Sequence, residues 1–594
     1  MSEFHFSPRP NRAHEIAWRA WGAAAFAEAK QQDKPVLLAI SAVWCHWCHV
    51  MDETSYSDDE VIRAVNERFI PIRVDNDQRP DVNRRYNMGG WPTTAFLTPN
   101  GEILNGATYI PPEAMRHYTR DVADVWRSKR DELAPRLREL KEHEAQADQQ
   151  QEQKAGELGW EIVSAVGSLI RGQYDPEYGG FGREPKFPQP KLLRFLLDEH
   201  RRSGAEDAAR MLHTTLDAMA SGGMYDALEG GFFRYSTTRA WAIPHFEKML
   251  EDNAELLTIY AEAHRTFPAA GHDRVVRDVM RWMDAVLWRE DAQAFSGSQD
   301  ADEHYYALDL AARERQGAPF VDRRLYTNWN ALAASAYIAA GNALADPAPG
   351  HRASVVMQTL AKRMWDGAAL AHFADGDGPA VRGLLTDYAA CIATVLDEYE
   401  TGERPGALGA AATMARAMRA ALEDPVAGGF WDAPQRAEPG RLARREKPIE
   451  EGAATADVLL RLALLTGEDE WRTSAIRALQ GFAGEYRQWG QFAAAYAAVV
   501  ARALAEGRLV VVVGAADDAV ARSLWQVATS SDDPNGARQR LVPERDAALI
   551  AARGYPAGRT AAYVCVGTSC SAPIDAAPHL VAELARARRR FVPA

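Results

Sequence analysis

Short apolar runs alternate with helix-patterned segments over the first part of the chain. Strand cores are typically four to eight residues long and apolar. Three such runs are KPVLLAIS (34–41), IPIRVDND (70–77) and TTAFLT (93–98). Apolar residues at helical spacing cover 14–29 and return after the second cysteine, in HVMDETSYSDDEVIRAVNERF. The pattern predicts an α/β domain over residues 1–140.

Helical periodicity dominates from residue 158 onwards, and a Gly-plus-aromatic turn recurs along it. The turns start roughly fifty to eighty residues apart, which is about one helix pair each. They are YGGFG (178–182), EGGFFRY (229–235), AFSGS (294–298), HFADGDG (372–378), AGGFWD (427–432) and WGQF (489–492). Six such units match a closed ring of six helical hairpins, although an open α-solenoid fits the periods almost as well.

Two further segments flank this helical part. KEHEAQADQQQEQKAGE (141–157) is polar and helix-compatible, so it is predicted to be a linker helix before a barrel at 158–506. At 507–594 strand, helix and strand patterns indicate a small α/β C-terminal region packed on the barrel. Its VGAADDA segment lacks the G-x-G-x-x-G spacing, so no dinucleotide cofactor is expected. The patterns therefore predict a multidomain fold class: an α/β domain, an all-α unit of helical hairpins that is either a closed barrel or an open solenoid, and an α/β cap.

Composition narrows the function classes. A chain of 594 residues is too long for one core, and a net charge of −14 argues against general nucleic-acid binding, which needs a basic surface. The first residues contain no apolar signal segment, and no run approaches the length of a membrane span. We therefore expect a cytoplasmic protein, a setting in which a Cys-x-x-Cys pair is typically catalytic or metal-binding.

The segment SAVWCHWCHVMDE (41–53) contains two cysteines and two histidines within five residues. As a bare pattern, Cys-x-x-Cys-His fits a c-type haem attachment site, a thioredoxin-like redox pair or half of a zinc site. Haem attachment normally needs an exported apoprotein, and zinc usually takes a second ligand pair, whereas the nearest other cysteine is Cys391. The order strand, CxxC, helix, strand, Trp91-Pro92, strand favours thioredoxin-like chemistry, with no metal expected.

That order of elements gives the cysteines a working geometry. Cys45 would stand at the first turn of a helix, where unpaired amides and the helix dipole favour a thiolate. We expect Cys45 to be the exposed attacking thiol and Cys48 to be the resolving thiol. His46 and His49, when protonated, would favour the thiolate further.

Two more residues complete the predicted redox site. X-Pro bonds tolerate the cis form, and a cis bond before Pro92 would set backbone opposite the thiols. Trp47 separates His46 from the second cysteine. The predicted site comprises Cys45, Cys48, His46, Trp47 and Pro92.

Blocks along nearly the whole chain resemble a known family. They include the cysteine segment with GGWPTTAFLTPNGEILNGATYIPP, then GGFGREPKFPQP, GGMYDALEGGFFRYS, PHFEKMLEDNAEL, YTNWNALAASAYI, LLTDYAACI and AAYVCVGTSCSAP. They are similar to the YyaL family, whose animal members are called spermatogenesis-associated protein 20. The resemblance implies a thioredoxin-like domain joined to a six-hairpin α/α barrel related to sugar epimerases and glycosidases. Two features depart from thioredoxins proper: His46 and Trp47 replace the Gly-Pro of WCGPC, and Ala39 stands where a buried Asp usually assists proton transfer.

Polar residues beside the Gly turns are the candidates for a cleft at one end of such a barrel. They are Asp226, Arg234, Tyr235, His245, Glu247, Lys248, Asp300, Asp302, Trp329, Asn330, Asp387 and Tyr388. A helix predicted to start after Pro244 would point His245 or Glu247 inward. Glycoside hydrolysis needs two carboxyls about 5 to 9.5 Å apart, and epimerisation needs a base, commonly His, with a second acid. Helix caps and buried polar networks use the same residue types, so structural roles stay open.

Cys565 and Cys570 are interpreted as two buried free thiols, with a local disulfide or a metal site as alternatives. The leading hypothesis for function is a thiol–disulfide oxidoreductase module that exchanges with a thiol or disulfide protein or small molecule, fused to a carbohydrate-type α/α barrel of unassigned activity, with a carbohydrate as its candidate ligand. The alternatives are a sugar-active enzyme, epimerase-like or hydrolase-like, with the first domain as an accessory, and a non-catalytic scaffold. No cofactor, nucleic acid or membrane partner is expected.

Overall fold

The computed structural model describes residues 4–152, 155–402, 404, 406–556 and 558–589. The first part of the chain forms a thioredoxin-like unit. Its elements are α1 Ala23–Gln32, β1 Val36–Ser41, α2 His46–Glu53, α3 Asp59–Arg68, β2 Ile70–Asp75, α4 Pro80–Tyr86, β3 Thr93–Leu97, β4 Ile103–Ala107 and α5 Pro112–Glu152. Helix α5 continues into the segment predicted as a linker helix.

The sheet of this unit has the order β2-β1-β3-β4. Strands β1 and β2 are parallel, with Val36 opposite Ile70 and Ser41 opposite Asp75, and β3 runs antiparallel to β1. Apolar clusters cover both faces of the sheet, which explains why β1 is a continuous apolar run instead of an alternating one. Because β1 and β2 end at the same edge, the cysteine loop and the acidic loop after Asp75 lie side by side.

The second unit is built from helices. They are α6 Trp160–Gln173, α7 Pro190–Ser203, α8 Glu206–Ser221, α9 Leu250–Thr266, α10 Asp273–Trp282, α11 Glu303–Tyr306, α12 Leu310–Gln316, α13 Thr327–Leu344, α14 Ala348–Arg363, α15 Leu385–Thr401, α16 Ala407–Leu422, α17 Ile449–Thr466, α18 Asp469–Gln480 and α19 Ala494–Leu504.

Six of these helices form a closed inner ring. Helices α7, α9, α13, α15, α17 and α19 each contact the next, and α19 contacts α7. The outer helices α8, α10, α14, α16 and α18 each pack on the inner helix that precedes them, and α6 packs on α19. The first and last helices of the unit thus form the sixth hairpin and close the ring. The predicted six-hairpin α/α barrel is confirmed, and the open-solenoid alternative is wrong.

Short strands lie where the chain enters the inner helices of the barrel. They are β5 Tyr235–Ser236, β6 Pro244–His245, β7 Lys248–Met249, β8 Trp288–Arg289, β9 Ala294–Phe295, β10 Ser298–Gln299, β11 Val321–Asp322, β12 Leu325–Tyr326, β13 Ala371–Asp375 and β14 Gly378–Arg382. The helix predicted after Pro244 is therefore wrong, because the chain forms β6 and β7 there and helix α9 begins at Leu250.

Three of the Gly turns share one ion-pair arrangement. In each, a Lys ammonium donates to an Asp carboxylate four residues before a Gly and to the carbonyl of that Gly. The sets are Lys186 with Asp175 and Gly179, Lys248 with Asp226 and Gly230, and Lys447 with Asp424 and Gly428, at 2.6–2.9 Å. The glycines have left-handed φ angles, for example 88° at Gly230 and 81° at Gly231, which other residues adopt at a cost. This shared lock explains why the sequence Gly-Gly-Phe recurs in these three turns.

The C-terminal unit is a second mixed sheet with flanking helices. Its elements are β15 Arg508–Val513, α20 Ala519–Ser530, β16 Gly536–Leu541, α21 Pro543–Ala552, β17 Ala561–Val566, β18 Ser569–Cys570 and α22 Ala577–Arg589, with strand order β16-β15-β17-β18. Strands β15 and β16 contact barrel helices α15 and α17. Cys565 pairs directly with Cys570 across the β17–β18 hairpin, and the two form a disulfide. The prediction of two buried free thiols is therefore wrong. Within the described ranges, no helix is long and apolar enough to cross a membrane.

Candidate functional site

The Cys-x-x-Cys motif lies at the junction of β1 and α2, at the carboxyl edge of the sheet. Cys45 is the N-cap residue of α2, and the Cys45 Sγ accepts a hydrogen bond from the amide of Cys48 over 3.2 Å. The two cysteines form a disulfide, with their Cα atoms 5.2 Å apart. A sulfur at this position faces unpaired amides and the positive end of the helix dipole, which stabilise a thiolate once the disulfide is reduced.

Both cysteines are enclosed. Cys45 is 5% exposed and Cys48 is 3% exposed, so the prediction of an exposed attacking thiol is wrong. The reason is tertiary: the mouth of the barrel packs against the motif, and the two cysteines belong to the same continuous apolar core as the barrel helices. Access to the sulfurs is therefore controlled by the second unit of the chain.

Arg234 of the barrel forms one wall over the motif. Its guanidinium carbon lies 3.8 Å from the centroid of the Trp44 ring and 5.3 Å from that of Trp91. The Trp44 indole Nε1 donates a hydrogen bond to Asp77 over 2.6 Å. Trp91 precedes the buried residue Pro92 through a cis peptide bond, as predicted. These contacts join the cysteine loop, the acidic loop and the barrel.

His49 and Asp300 form a second contact between the two units. His49 Nε2 lies 2.9 Å from the carbonyl of Val43, so Nε2 carries the proton and Nδ1 faces Asp300 Oδ2 at 3.8 Å. Burial lowers the pKa of His49 and raises the pKa of Asp300 to about 8. At neutral pH the protonated Asp300 faces a neutral imidazole, so His49 supplies no positive charge to the thiolate.

A third contact brings His46 near His245, with ring centroids 6.5 Å apart. His245 stacks on Tyr235, and its Nδ1 lies 3.2 Å from Glu247. Burial lowers the pKa of His245, but the hydrogen bond and charge of Glu247 outweigh it, and the net pKa is raised. Glu247 is 2% exposed, and its second oxygen has no hydrogen-bond partner among the described residues. Trp47, by contrast, is 45% exposed and packs on the outside of the thioredoxin-like unit.

Two cavities lie between the units. The barrel cavity encloses about 190 Å³ at the mouth of the ring, and its wall includes Asp77, Glu251, Asn328, Trp329 and His372. The thiol cavity encloses about 290 Å³ beside Cys48 and is bounded by β13 and β14. The predicted cleft of the barrel is thus covered by the thioredoxin-like unit.

His372 fixes the wall of the barrel cavity to the acidic loop. Its Nε2 donates to the carbonyl of Asp77 over 2.9 Å, and its Nδ1 lies 3.0 Å from Asp387. Burial lowers the pKa of His372, but the Asp387 charge outweighs it, and the net pKa is raised. Burial and the charge of Glu255 raise the pKa of Glu251 to about 8. Predicted residue Asp387 therefore acts through His372, whereas predicted residue Trp329 lines the cavity itself.

Several carboxyl groups line the thiol cavity with Cys48. Ala39, at the position where thioredoxins have a buried Asp, supplies none. Asp52 forms a buried ion pair with Arg73 at 2.8 Å. Asp75 lines the same cavity as Cys48, and burial together with the Asp77 charge raises its pKa to about 7. A proton acceptor suited to neutral pH therefore lies on β2 instead of β1.

Asp226 and Lys248 have structural roles. The Lys248 ammonium is fully buried and locks the Gly230 turn through Asp226, which also accepts from Arg313 at 2.8 Å. Neither residue lines either cavity between the units. Both residues are therefore explained by their role in this buried ion-pair network.

Three more candidates stabilise turns and helix ends. Asn330 pairs with the backbone amide and carbonyl of Phe295 at 2.8 and 3.0 Å. Asp302 is the N-cap of α11, and the Tyr388 hydroxyl donates to the carbonyl of Ala368. The structure thus brings Arg234, Tyr235, His245, Glu247 and Asp300 to the cysteine motif and leaves these three elsewhere.

Four residues of the site escaped the sequence analysis: Asp75, Asp77, Glu251 and His372. A signal existed for the first two, because they lie at the end of the predicted strand run IPIRVDND (70–77), and parallel strands end at the same edge of a sheet. His372 begins the turn HFADGDG (372–378), but no local pattern indicates its contact with Asp77, because that contact joins the two units. Among the described residues, no group of three or more His, Cys, Asp or Glu is arranged to hold a metal ion.

The first part of the chain matches a protein-family model. A family model described as "Thioredox_DsbH: Protein of unknown function, DUF255" matches residues 9–144. Human spermatogenesis-associated protein 20 is 25% identical over an alignment of 703 residues, which covers 94% of this chain and 88% of the human protein. The chain is similar to spermatogenesis-associated protein 20 over nearly its whole length.

Two other matches cover less. The uncharacterized protein B0495.5 of Caenorhabditis elegans is 33% identical over 312 residues, which are 48% of this chain and 41% of that protein, so the match spans less than half of either. Among solved structures, cellobiose 2-epimerase from Bacillus thermoamylovorans is similar with a TM-score of 0.45 and 10% identity, over 54% of this chain and 84% of the epimerase.

Proposed function

We propose that the protein is a thiol–disulfide oxidoreductase whose Cys45–Cys48 pair acts on small disulfides at the junction with the barrel. The observation that carries this proposal is the enclosure of a helix-capped cysteine pair by the barrel, with both cysteines at most 5% exposed. A folded protein disulfide would have to displace Arg234 and the barrel mouth, whereas a small disulfide can enter the thiol cavity, which reaches the motif at Cys48.

Cys45 is the proposed nucleophile because its sulfur accepts the Cys48 amide at the start of α2. The reduced Cys45 thiolate attacks one sulfur of R–S–S–R, forms a Cys45–S–S–R mixed disulfide and releases one RS⁻, which takes up a proton. Cys48 then loses its proton and attacks the Cys45 sulfur, which forms the intramolecular disulfide and releases the second RS⁻. Two electrons pass to the substrate, and an external thiol restores the dithiol.

Asp75 is the proposed acceptor of the Cys48 proton. It shares the thiol cavity with Cys48, and a carboxyl with a pKa of about 7 is suited to accept and return a proton near neutral pH. Asp75→Asn should slow the resolving step on the order of tenfold or more. The control is Asp377→Asn, which changes an exposed carboxyl at the rim of the same cavity.

The proposal is tested by stopped-flow kinetics of the reduced protein with oxidised glutathione, in a Cys565→Ser/Cys570→Ser background that leaves Cys45 and Cys48 as the reactive pair. Cys45→Ser should abolish the exchange, Cys48→Ser should stop it at a glutathione adduct on Cys45, and Asp75→Asn should make that adduct accumulate transiently. Exchange that persists at the wild-type rate in Cys45→Ser would exclude the proposal.

A second candidate function is carbohydrate binding in the barrel cavity. The observation that favours it is a polar cavity of about 190 Å³ that contains Trp329, Glu251 and a buried Asn328 whose Oδ1 has no partner among the described residues. Sugars are recognised by this combination of an aromatic ring and hydrogen-bonding groups. Calorimetric titration with neutral mono- and disaccharides tests it: Trp329→Phe should weaken any binding at least severalfold, and Trp489→Phe, outside the cavity, should not. No heat with any sugar would exclude this candidate.

A further inference from the structure

The Cys565–Cys570 disulfide differs from the enclosed pair in its accessibility. It closes the β17–β18 hairpin at the edge of the C-terminal sheet. Cys570 lies in the exposed two-residue strand β18, whereas Cys565 is 7% exposed and packs in the core beneath. One sulfur of this disulfide can therefore be reached from solvent, and the other is held inside.

The hairpin is also held by contacts that do not need the disulfide. The Ser571 amide donates to the carbonyl of Val564 at 3.0 Å, and Ala562 and Ile574 exchange two backbone hydrogen bonds at 2.7 and 2.9 Å. The disulfide closes a loop with a sequence separation of only five residues, and short loops gain the least stability from closure. The disulfide therefore contributes little to the stability of the fold, and stability does not explain its presence.

A tyrosine hydroxyl lies at the buried sulfur. Tyr555 Oη is 3.8 Å from Cys565 Sγ, within hydrogen-bonding reach of a sulfur atom. Because a disulfide sulfur carries no hydrogen, the hydroxyl is the donor. The Tyr563 ring packs against the Tyr555 ring at a tilt of 38°, with centroids 4.7 Å apart, but the Tyr563 hydroxyl has no hydrogen-bond partner among the described residues.

From this asymmetry we propose that Cys565–Cys570 is a second, solvent-accessible thiol–disulfide exchange site. An incoming thiolate RS⁻ attacks the exposed Cys570 sulfur, which forms a Cys570–S–S–R mixed disulfide and releases Cys565 as a thiolate. The Tyr555 hydroxyl donates a hydrogen bond to that thiolate. A second thiolate attacks the R-bearing sulfur of the mixed disulfide, which releases R–S–S–R and the Cys570 thiolate, and both cysteines then take up protons. Two RSH are oxidised and one protein disulfide is reduced. The co-reactant is a thiol, either a small molecule or a cysteine of another protein.

The test follows both disulfides in the full-length oxidised protein after addition of reduced glutathione. Acid-quenched samples are alkylated, and the peptides of the two cysteine pairs are quantified by mass spectrometry. Cys565–Cys570 should be reduced at least tenfold faster than Cys45–Cys48, with no loss of cooperative thermal unfolding. A second arm with reduced thioredoxin separates the two sources of thiol. Reduction in both arms identifies a site that protein cysteines can reach. Reduction by glutathione alone identifies a site for small thiols. A Cys565–Cys570 bond that stays oxidised in both arms overturns the proposal.

Variants separate the roles of the two sulfurs and of Tyr555. Cys565→Ser should trap glutathione from its disulfide form on Cys570, at least tenfold more than Cys570→Ser traps it on Cys565. Tyr555→Phe should raise the pH at which the Cys565 thiol is half-alkylated and slow reduction severalfold, while Tyr563→Phe should leave both unchanged. Equal trapping on the two cysteines, or equal behaviour of the two Tyr variants, would contradict the proposed direction of attack.

Discussion

The guanidinium carbon of Arg234 lies 3.8 Å from the centroid of the Trp44 ring, directly beside the first cysteine of the redox motif. Arg234 follows the second Gly turn of the barrel, and Trp44 ends the loop that leads from β1 into α2. One Nη atom of Arg234 is buried without a hydrogen-bond partner among the described residues. The stacking contact is therefore the main restraint seen on this side chain, and it makes the barrel a wall of the thiol site.

Removing this wall should expose the cysteines. A desolvated cation–π contact contributes on the order of 1–2 kcal/mol, so Arg234→Ala should raise the rate of alkylation of reduced Cys45 by about tenfold. The matched control is Arg352→Ala, because Arg352 stacks on Trp288 at the same 3.8 Å but far from the motif in the fold. Equal alkylation rates in wild type and Arg234→Ala would show that the barrel does not limit access.

The lysine locks of the Gly turns should act on stability and not on chemistry. Lys248→Met removes a fully buried ammonium from Asp226 and should cost about 3 kcal/mol of unfolding free energy, since breaking a buried pair leaves a carboxylate less well compensated. Lys447→Met breaks the same contact where the lysine is partly exposed, and we expect about 1 kcal/mol there. Differential scanning calorimetry measures both; a larger loss for the Lys447 variant would contradict the ranking.

Much of this fold was predictable from local patterns, and the reason is physical. The continuous apolar run of β1 reflects burial on both sheet faces, and the Gly turns reflect left-handed backbone that few other residues adopt. Six turns, each about one helix pair from the next, then predict six hairpins.

The site was less predictable because it is built between units. Cys45 has the sequence signature of an exposed redox thiol, yet its burial comes from Arg234 and its neighbours some two hundred residues away. Asp226 and Asp300 are both cleft candidates because they lie beside Gly turns, but one is locked by a lysine and the other faces His49. Only tertiary contact separates them.

Asp300 gives the site a pH dependence with a definite sign. Its pKa in the folded chain is raised to about 8 by burial, so its contribution to stability is fully present below its unfolded pKa and is lost as pH rises through about 8. The melting temperature of Asp300→Asn minus that of wild type should therefore be larger at about pH 9 than at about pH 5.5, by about 2 °C or more. Asp302→Asn, which changes a helix cap, should shift the melting temperature by the same amount at both pH values. Parallel profiles for wild type and Asp300→Asn would contradict the assignment.

The most direct test of an enclosed redox pair compares disulfide substrates of different size. The reduced full-length protein is mixed with oxidised glutathione or with insulin, and the rate of disulfide formation between Cys45 and Cys48 is measured by quenched alkylation in a Cys565→Ser/Cys570→Ser background. Because access governs exchange rates, oxidised glutathione should react at least ~100-fold faster than insulin, and Arg234→Ala should narrow that ratio. Insulin reacting as fast as oxidised glutathione in the wild-type site would contradict the enclosure of the cysteines by the barrel.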